Sequence, residues 1–264
     1  MEIKSITHHH IFGDVNGIHI DDMYDAYKKS IQMKYMKENN VDYIYSQDYD
    51  ISYLKDINSI KYLHLNEEVE NIDTLYLLPN LNGLVISSKY LASIDFNKLP
   101  QLKKIVIGHK NKEIINLGNN IKEITISSYD FHDLTKINAN PLLEKLYISY
   151  GPKLKSLAGI ENFPNLKEVT IDGCFRLHNI SSLCVCKNII KLNIYDCNKI
   201  EDLYDSISKL DNLEEINLYN KETWVVNSIK DLSFLDNLNK LKYLKTDYNV
   251  SKKDSIHCKK IIKI

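Results

Sequence analysis

The sequence predicts an α/β fold: a curved parallel sheet of about ten strands, one per repeat, with an N-terminal cap of hairpin and helix. Three observations predict it. One template (apolar, two free, apolar, one free, apolar) recurs ten times: "VDYIYS" from Val41, then copies from Ile60, Leu81, Leu102, Ile121, Leu143, Leu166, Ile189, Leu213 and Leu241. The copies stand 19 to 28 residues apart. Between them, stretches such as "KLKSLAGIENF" and "NKIEDLYDSISKL" keep apolar residues three apart, and the residue three before a copy is apolar at Leu78, Leu99, Phe163, Cys186, Leu210 and Leu238.

A unit of this size cannot bury its apolar side alone. Stacked units build one continuous core and a parallel sheet with one strand each. Ten strands at about 4.8 Å make a sheet roughly 45–50 Å long. The template and the joins "LPNL", "FPNL" and "LDNL" resemble the leucine-rich repeat, in its bacterial, internalin-like variety, with periods of about 20–29 residues. The resemblance covers 41–250. It implies a solenoid that binds a protein on its concave face and has no catalytic centre.

The ends need caps, because an exposed first or last strand leaves backbone groups unpaired. "ITHHHIF" and "VNGIHI" pair as a hairpin across "GDVNG", or "VNGIHI" is a degenerate first strand of the repeat. A helix is predicted over 21–38. Asp21 and Asp22 start it, Asn39 and Asn40 end it, and Tyr27, Ile31 and Tyr35 form its apolar stripe. The expected division is a cap over 1–40, the solenoid over 41–250, and a tail over 251–264 whose "KKIIKI" is a partial last strand.

Composition narrows the function. The net charge is −1 and Arg176 is the sole arginine, which argues against nucleic acid as a partner. No stretch approaches the roughly 18 apolar residues of a membrane span, and the start "MEIKSITHHH" has no leader pattern. The five cysteines are an odd number in a chain that is not small, as expected for free thiols in a cytoplasmic protein. Cys186 falls in a core register. The resemblance gives Cys174 and Cys197, nine positions into their repeats, a structural role in the turn. On a strand, His8, His9 and His10 alternate faces, so they read as strand surface and not as a metal site. No phosphate loop, zinc-protease or nucleophile motif is present. No cofactor, metal or catalytic residue is expected.

The variable positions carry the rest. The third residues of the copies are Tyr43, Tyr62, Gly83, Lys104, Glu123, Lys145, Glu168, Lys191, Glu215 and Tyr243. The middle six alternate in sign and predict a cross-strand charge ladder. Aromatic residues gather toward both ends: Tyr43, Tyr45, Tyr62 and His64, then Tyr147, Tyr150, Tyr195, Tyr219, Tyr243 and Tyr248. Trp224 sits in the longest repeat. Tyrosine combines an apolar body with a polar tip and suits a partner-binding surface. The expected role is a monomeric cytosolic bacterial immunity or inhibitor protein that masks a protein partner, such as a toxin. The alternatives are a secreted or host-directed effector or adhesin, or an enzyme or nucleic-acid binder using the His/Tyr-rich N-terminal end.

Overall fold

Residues three apart eclipse one another in a 3₁₀ turn, which repeats every three residues. The return arms are built this way. Ile160, Phe163 and Leu166 each donate a backbone N–H to the carbonyl three residues earlier, at 3.0, 3.0 and 3.2 Å. Leu183, Cys186 and Ile189 do the same at 2.9, 2.9 and 3.2 Å, and Leu235, Leu238 and Leu241 at 3.0 Å each. All nine side chains are buried, so the arm points every third residue into the core.

The computed structural model describes residues 4–20, 26–66, 68–108, 114–220, 232, 235, 237–247, 258 and 260–263. The chain forms two compact units, Met1–Ile107 with Leu117–Ile121, and Gly108–Asn116 with Lys122–Ile264. In the first, β1 (Lys4–His9) pairs antiparallel with β2 (Gly13–Ile20), and helix α1 (Ala26–Glu38) follows. Parallel strands then succeed one another: β3 (Tyr43–Ser46), β4 (Tyr62–Leu65), β5 (Gly83–Ser87) and β6 (Lys104–Gly108). The second holds β7 (Glu123–Ser127), β8 (Lys145–Ser149), β9 (Glu168–Asp172), β10 (Lys191–Tyr195), the short α2 (Leu203–Ile207), β11 (Glu215–Tyr219), β12 (Tyr243–Thr246) and β13 (Lys260–Lys263). Within each unit, strands adjacent in sequence are hydrogen-bonded neighbours.

The strands β3 to β12 all begin on the third residue of a template copy. The first residue of every copy is at most 3% exposed. "VNGIHI" satisfies both sequence readings: it lies in the hairpin, and it pairs parallel with β3 in the repeat register, Gly17 opposite Tyr43. "KKIIKI" contains the last strand, with Lys260 opposite Tyr243.

Two recurring contacts stitch repeat to repeat. The second-position carbonyl accepts the second- and third-position N–H groups of the next repeat: Lys122 O from Glu144 and Lys145 at 2.8 and 3.0 Å, and Ile190 O from Glu214 and Glu215 at 2.9 and 3.0 Å. The asparagine before a copy reaches back to a carbonyl of the preceding repeat. Asn165 Nδ2 donates to Pro141 O at 2.7 Å, Asn188 Nδ2 to Pro164 O at 3.0 Å, and Asn212 Nδ2 to Lys187 O at 2.8 Å. The recurring Asn of "PNL" and "DNL" is therefore a backbone clamp.

Two expectations for the cap change. The hairpin turns at His10–Phe12, and "GDVNG" lies inside β2. The predicted stripe of α1 is not its packed face: Tyr27 is 73% exposed, whereas Gln32 and Met36 are 8% and 0% exposed. On the buried side the Lys29 Nζ lies 3.5 Å from Asp48 Oδ2 and 4.1 Å from the Tyr53 ring centre. The predicted C-terminus holds: Asn40 is left-handed at φ 49°, and Val41 N–H returns to Met36 O at 3.1 Å, closing the helix end. Asp21 and Asp22 lie outside the described residues.

Ile194 is 2% exposed in the middle of β10. Ile194→Asp places an unpaired charge in the shared core and is expected to abolish cooperative thermal unfolding. Circular dichroism melts check this, and a retained sharp transition would contradict the assigned register.

Candidate partner-binding face

Residues three, five and seven of each copy point away from the core, onto the outward face of the sheet. The two aromatic groups predicted there meet different fates.

In the first unit the hairpin turn folds over the face. Phe12 stacks on Tyr62 with ring centres 4.6 Å apart, and His9 lies 4.7 Å from Phe12 and 5.0 Å from Tyr43. Glycines make the room: a Cβ on Gly83 would sit 2.5 Å from the Phe12 ring, and one on Gly17 would sit 2.5 Å from the Tyr43 ring. Tyr43, expected on the surface, is 2% exposed. It forms a small second core with Phe12 and Val15, packed by Ile6, Ile11, Tyr45, Tyr62 and Val85. Burial, then Tyr45, push its phenol up to about 12. Tyr45 is half-buried, stacked on His19 and tilted against His64, with ring centres 4.5 Å apart in each pair. The N-terminal aromatic group is thus largely consumed by the chain itself.

His9 departs from the strand-surface expectation as well. It is 8% exposed, and its Nδ1 accepts the backbone N–H groups of Ile11 and Phe12 at 3.2 and 3.4 Å. That role requires a neutral ring. Burial, then His10 and His8, lower its pKa from 6.5 to about 4. Burial, then His9, His10 and His19, lower that of His64, which meets His9 edge-on at 6.2 Å, to about 4. His8 instead faces solvent beside Asp14, 3.0 Å away.

In the second unit the face stays open among the described residues. The Tyr195 and Tyr219 rings lie 4.8 Å apart, and Lys245 Nζ caps the Tyr219 ring at 4.8 Å. Tyr147 donates its hydroxyl to Asp172 Oδ2 at 3.0 Å. Burial, then the Asp172 charge, push the Tyr147 phenol up to about 12. Burial, then Tyr219, raise that of Tyr195. These phenols are neutral donors at pH 7. Tyr150 is 56% exposed and left-handed at φ 56°, in the turn leaving β8. Tyr243 is half-buried, opposite Glu215. Trp224 and Tyr248 lie outside the described residues.

Charges and amides fill the gaps between the rings. The third-position ladder forms within this unit: Lys145 Nζ lies 3.3 Å from Glu123, and Lys191 Nζ lies 3.7 Å from Glu168 and 3.1 Å from Glu215. Burial works against the Lys191 charge, but Glu215 and Glu168 outweigh it and raise its pKa. A second ladder runs through the second positions, where Glu144 holds Lys122 at 3.1 Å and Lys167 at 2.9 Å. Those lysines hold the Glu144 carboxyl below its usual range. Fifth-position amides form a third row: Asn217 donates to Asn193, and Asn193 to Thr170, each at 2.8 Å. Asp172, Asn193, Asn217 and Lys245 join the face without having been singled out from the sequence. Their signal was the template itself, read at positions five and seven. The face offers stacking, hydrogen bonds and paired charge. Among the described residues no cluster of three His, Cys, Asp or Glu could hold a metal.

Cys174, Cys186 and Cys197 are buried and free. Cys197 Sγ contacts Tyr195 O at 3.1 Å, in the turn after its strand. No helix among the described residues is long and apolar enough to cross a membrane.

This architecture is the leucine-rich-repeat solenoid fold. Residues 143–224 match a family model described as the leucine-rich-repeat domain of the endo-beta-N-acetylglucosaminidase EndoS. Among solved structures the chain is similar to an internalin, inlF, from Listeria monocytogenes, at 18% identity and a TM-score of 0.57, over 83% of this chain and 66% of that one. It is also similar to TLR13 in a complex with ssRNA13, at 18% identity and a TM-score of 0.56, over 79% of this chain and 31% of that one. A comparison with proteins of curated function finds no match.

The histidines set a pH dependence for the hairpin. Both are neutral in the fold and have pKa values below 6.5, so an unfolded hairpin binds more protons between pH 6.5 and about 4. The stability they carry is full above pH 6.5 and falls as the pH drops toward 4. Amide exchange of β1 and β2 is expected to accelerate, relative to β8, between pH 7 and pH 5, and His9→Phe to flatten that change. Equal protection of β1 and β2 at both pH values would contradict it.

Proposed function

We propose that the protein is a non-enzymatic scaffold that docks a protein partner on the outward face of β8 to β12. The observation that carries this is the Tyr195–Tyr219 pair, half-exposed and 4.8 Å apart on a face whose charged neighbours are already paired. A partner can cover such a face without stranding an unmatched charge, which is the main cost of burying charged surface. Tyr147, Tyr150 and Tyr243 extend the surface, and Trp224 belongs to it on sequence grounds. Tyr45, Tyr62 and His64 are exposed enough to take part only at their edges. The absence of a catalytic motif from the sequence supports the non-enzymatic reading.

The role that best fits is a cytosolic bacterial inhibitor or immunity protein, monomeric alone, that masks a partner such as a toxin. The division that goes with it is a cap over 1–40, repeats over 41–250 and a tail over 251–264.

Interface anchors are enriched in tyrosine, and truncating one costs about 2 kcal/mol or more. Tyr195→Ala and Tyr219→Ala are expected to weaken partner binding by that order while leaving the melting temperature nearly unchanged. Lys145→Ala should cost less and act mainly on the association rate. The partner is captured from native lysate with the wild-type protein, purified and titrated against each variant. Wild-type affinity in both tyrosine variants would overturn the assignment.

A further inference from the structure

A pocket of about 940 Å³ opens on the loops that follow β8, β9 and β10, away from the rings of the outward face. Lys155, Arg176, His178, Asn198, Lys199, Ile200 and Glu201 line it, with Ile200, 5% exposed, as its apolar floor. Consecutive repeats hold the loops in place: His178 N–H donates to Lys155 O at 3.1 Å, and Glu201 N–H to His178 O at 3.0 Å. We propose that this pocket is a second recognition site, for an acidic peptide segment that brings two or more carboxylates. It does not depend on the outward face being a docking surface.

The charges point to the ligand. Six lysines of this unit are matched: Lys122, Lys145, Lys153, Lys167, Lys191 and Lys242 each lie within 4.0 Å of a carboxylate. Lys155, Arg176 and Lys199 are exposed and have no such partner among the described residues. Three stacked repeats therefore gather three cations around one concave spot, against the single carboxylate of Glu201. Arg176 is the chain's single arginine, and its planar fork matches a carboxylate two bonds at a time. The volume lies in the range of about 300–1,000 Å³ that holds specific ligands.

The same lining argues against a nucleic-acid strand. His178 supplies a single ring to the lining, and no Phe, Tyr or Trp joins it to stack successive bases. Glu201, in the lining, can accept a peptide N–H, which a sugar-phosphate backbone does not offer. A short acidic segment uses both signs.

The test is titration of a fluorescently labelled Asp-Glu hexapeptide into the full chain at low salt, with a twelve-residue oligouridylate as the competing probe. The peptide is expected to bind, and Arg176→Gln to weaken it about tenfold, the loss of one charge-assisted contact. Lys199→Gln should weaken it too, while Lys209→Gln, the same charge change on an exposed residue outside the pocket, should not. Amide shifts on titration should centre on 155–201. No peptide binding, an unchanged affinity in Arg176→Gln, or tighter Arg176-dependent binding of the oligouridylate would overturn the proposal.

Discussion

Everything in this fold depends on one exchange of hydrogen bonds between successive repeats. A strand of four or five residues satisfies none of its own backbone groups, so each repeat must give them to its neighbours. The second-position carbonyl, taking two N–H groups from the next repeat, fixes the spacing and the register together. Once the register is fixed, every third residue of the arm falls into the core and every alternate strand residue falls onto the outward face. The asparagine clamps repeat that register on the return side, so a slip of one residue would break both seams at once.

The first repeat has no predecessor, and its solution shapes the candidate surface. The β1–β2 hairpin supplies the missing strand, and α1 buries its Gln32–Met36 side while Lys29 reaches Asp48 and Tyr53. The hairpin's turn then continues across the sheet and seats Phe12 on Tyr62 beside Gly83. The cap thereby spends the N-terminal aromatics as a second core. The exposed aromatic face is left to the repeats from β8 onward, where the rings are separated by charge ladders and amide rows.

The strands were legible to the residue because the template is local and strict: the third residue of each copy is the first of each strand. The three-residue spacing of the return arms was legible too, but their 3₁₀ form was not read from it. Tyr43 was not. Its cover comes from His9 and Phe12, some thirty residues earlier, across a turn whose place "GDVNG" obscured. The packed side of α1 was missed because the helix scatters its apolar residues with no single apolar face, so Tyr27, Ile31 and Tyr35 imitated a stripe that tertiary contacts with Asp48 and Tyr53 overrule. The second ladder, Glu144 between Lys122 and Lys167, stands one column from the first and read only as solvent-facing charge, whereas Arg176, Lys155 and Lys199 come from loops outside the template and meet only in the folded stack.

The central claim is that the aromatic residues divide into a closed N-terminal core and an open surface further along. Hydroxyl-radical footprinting of the free protein, read residue by residue by mass spectrometry, tests it most directly. Phe12 and Tyr43 should be protected as strongly as the core residue Tyr129, while Tyr150, 56% exposed, labels rapidly and Tyr195 and Tyr219 label at intermediate rates. Rapid labelling of Phe12 and Tyr43 at neutral pH would contradict the account.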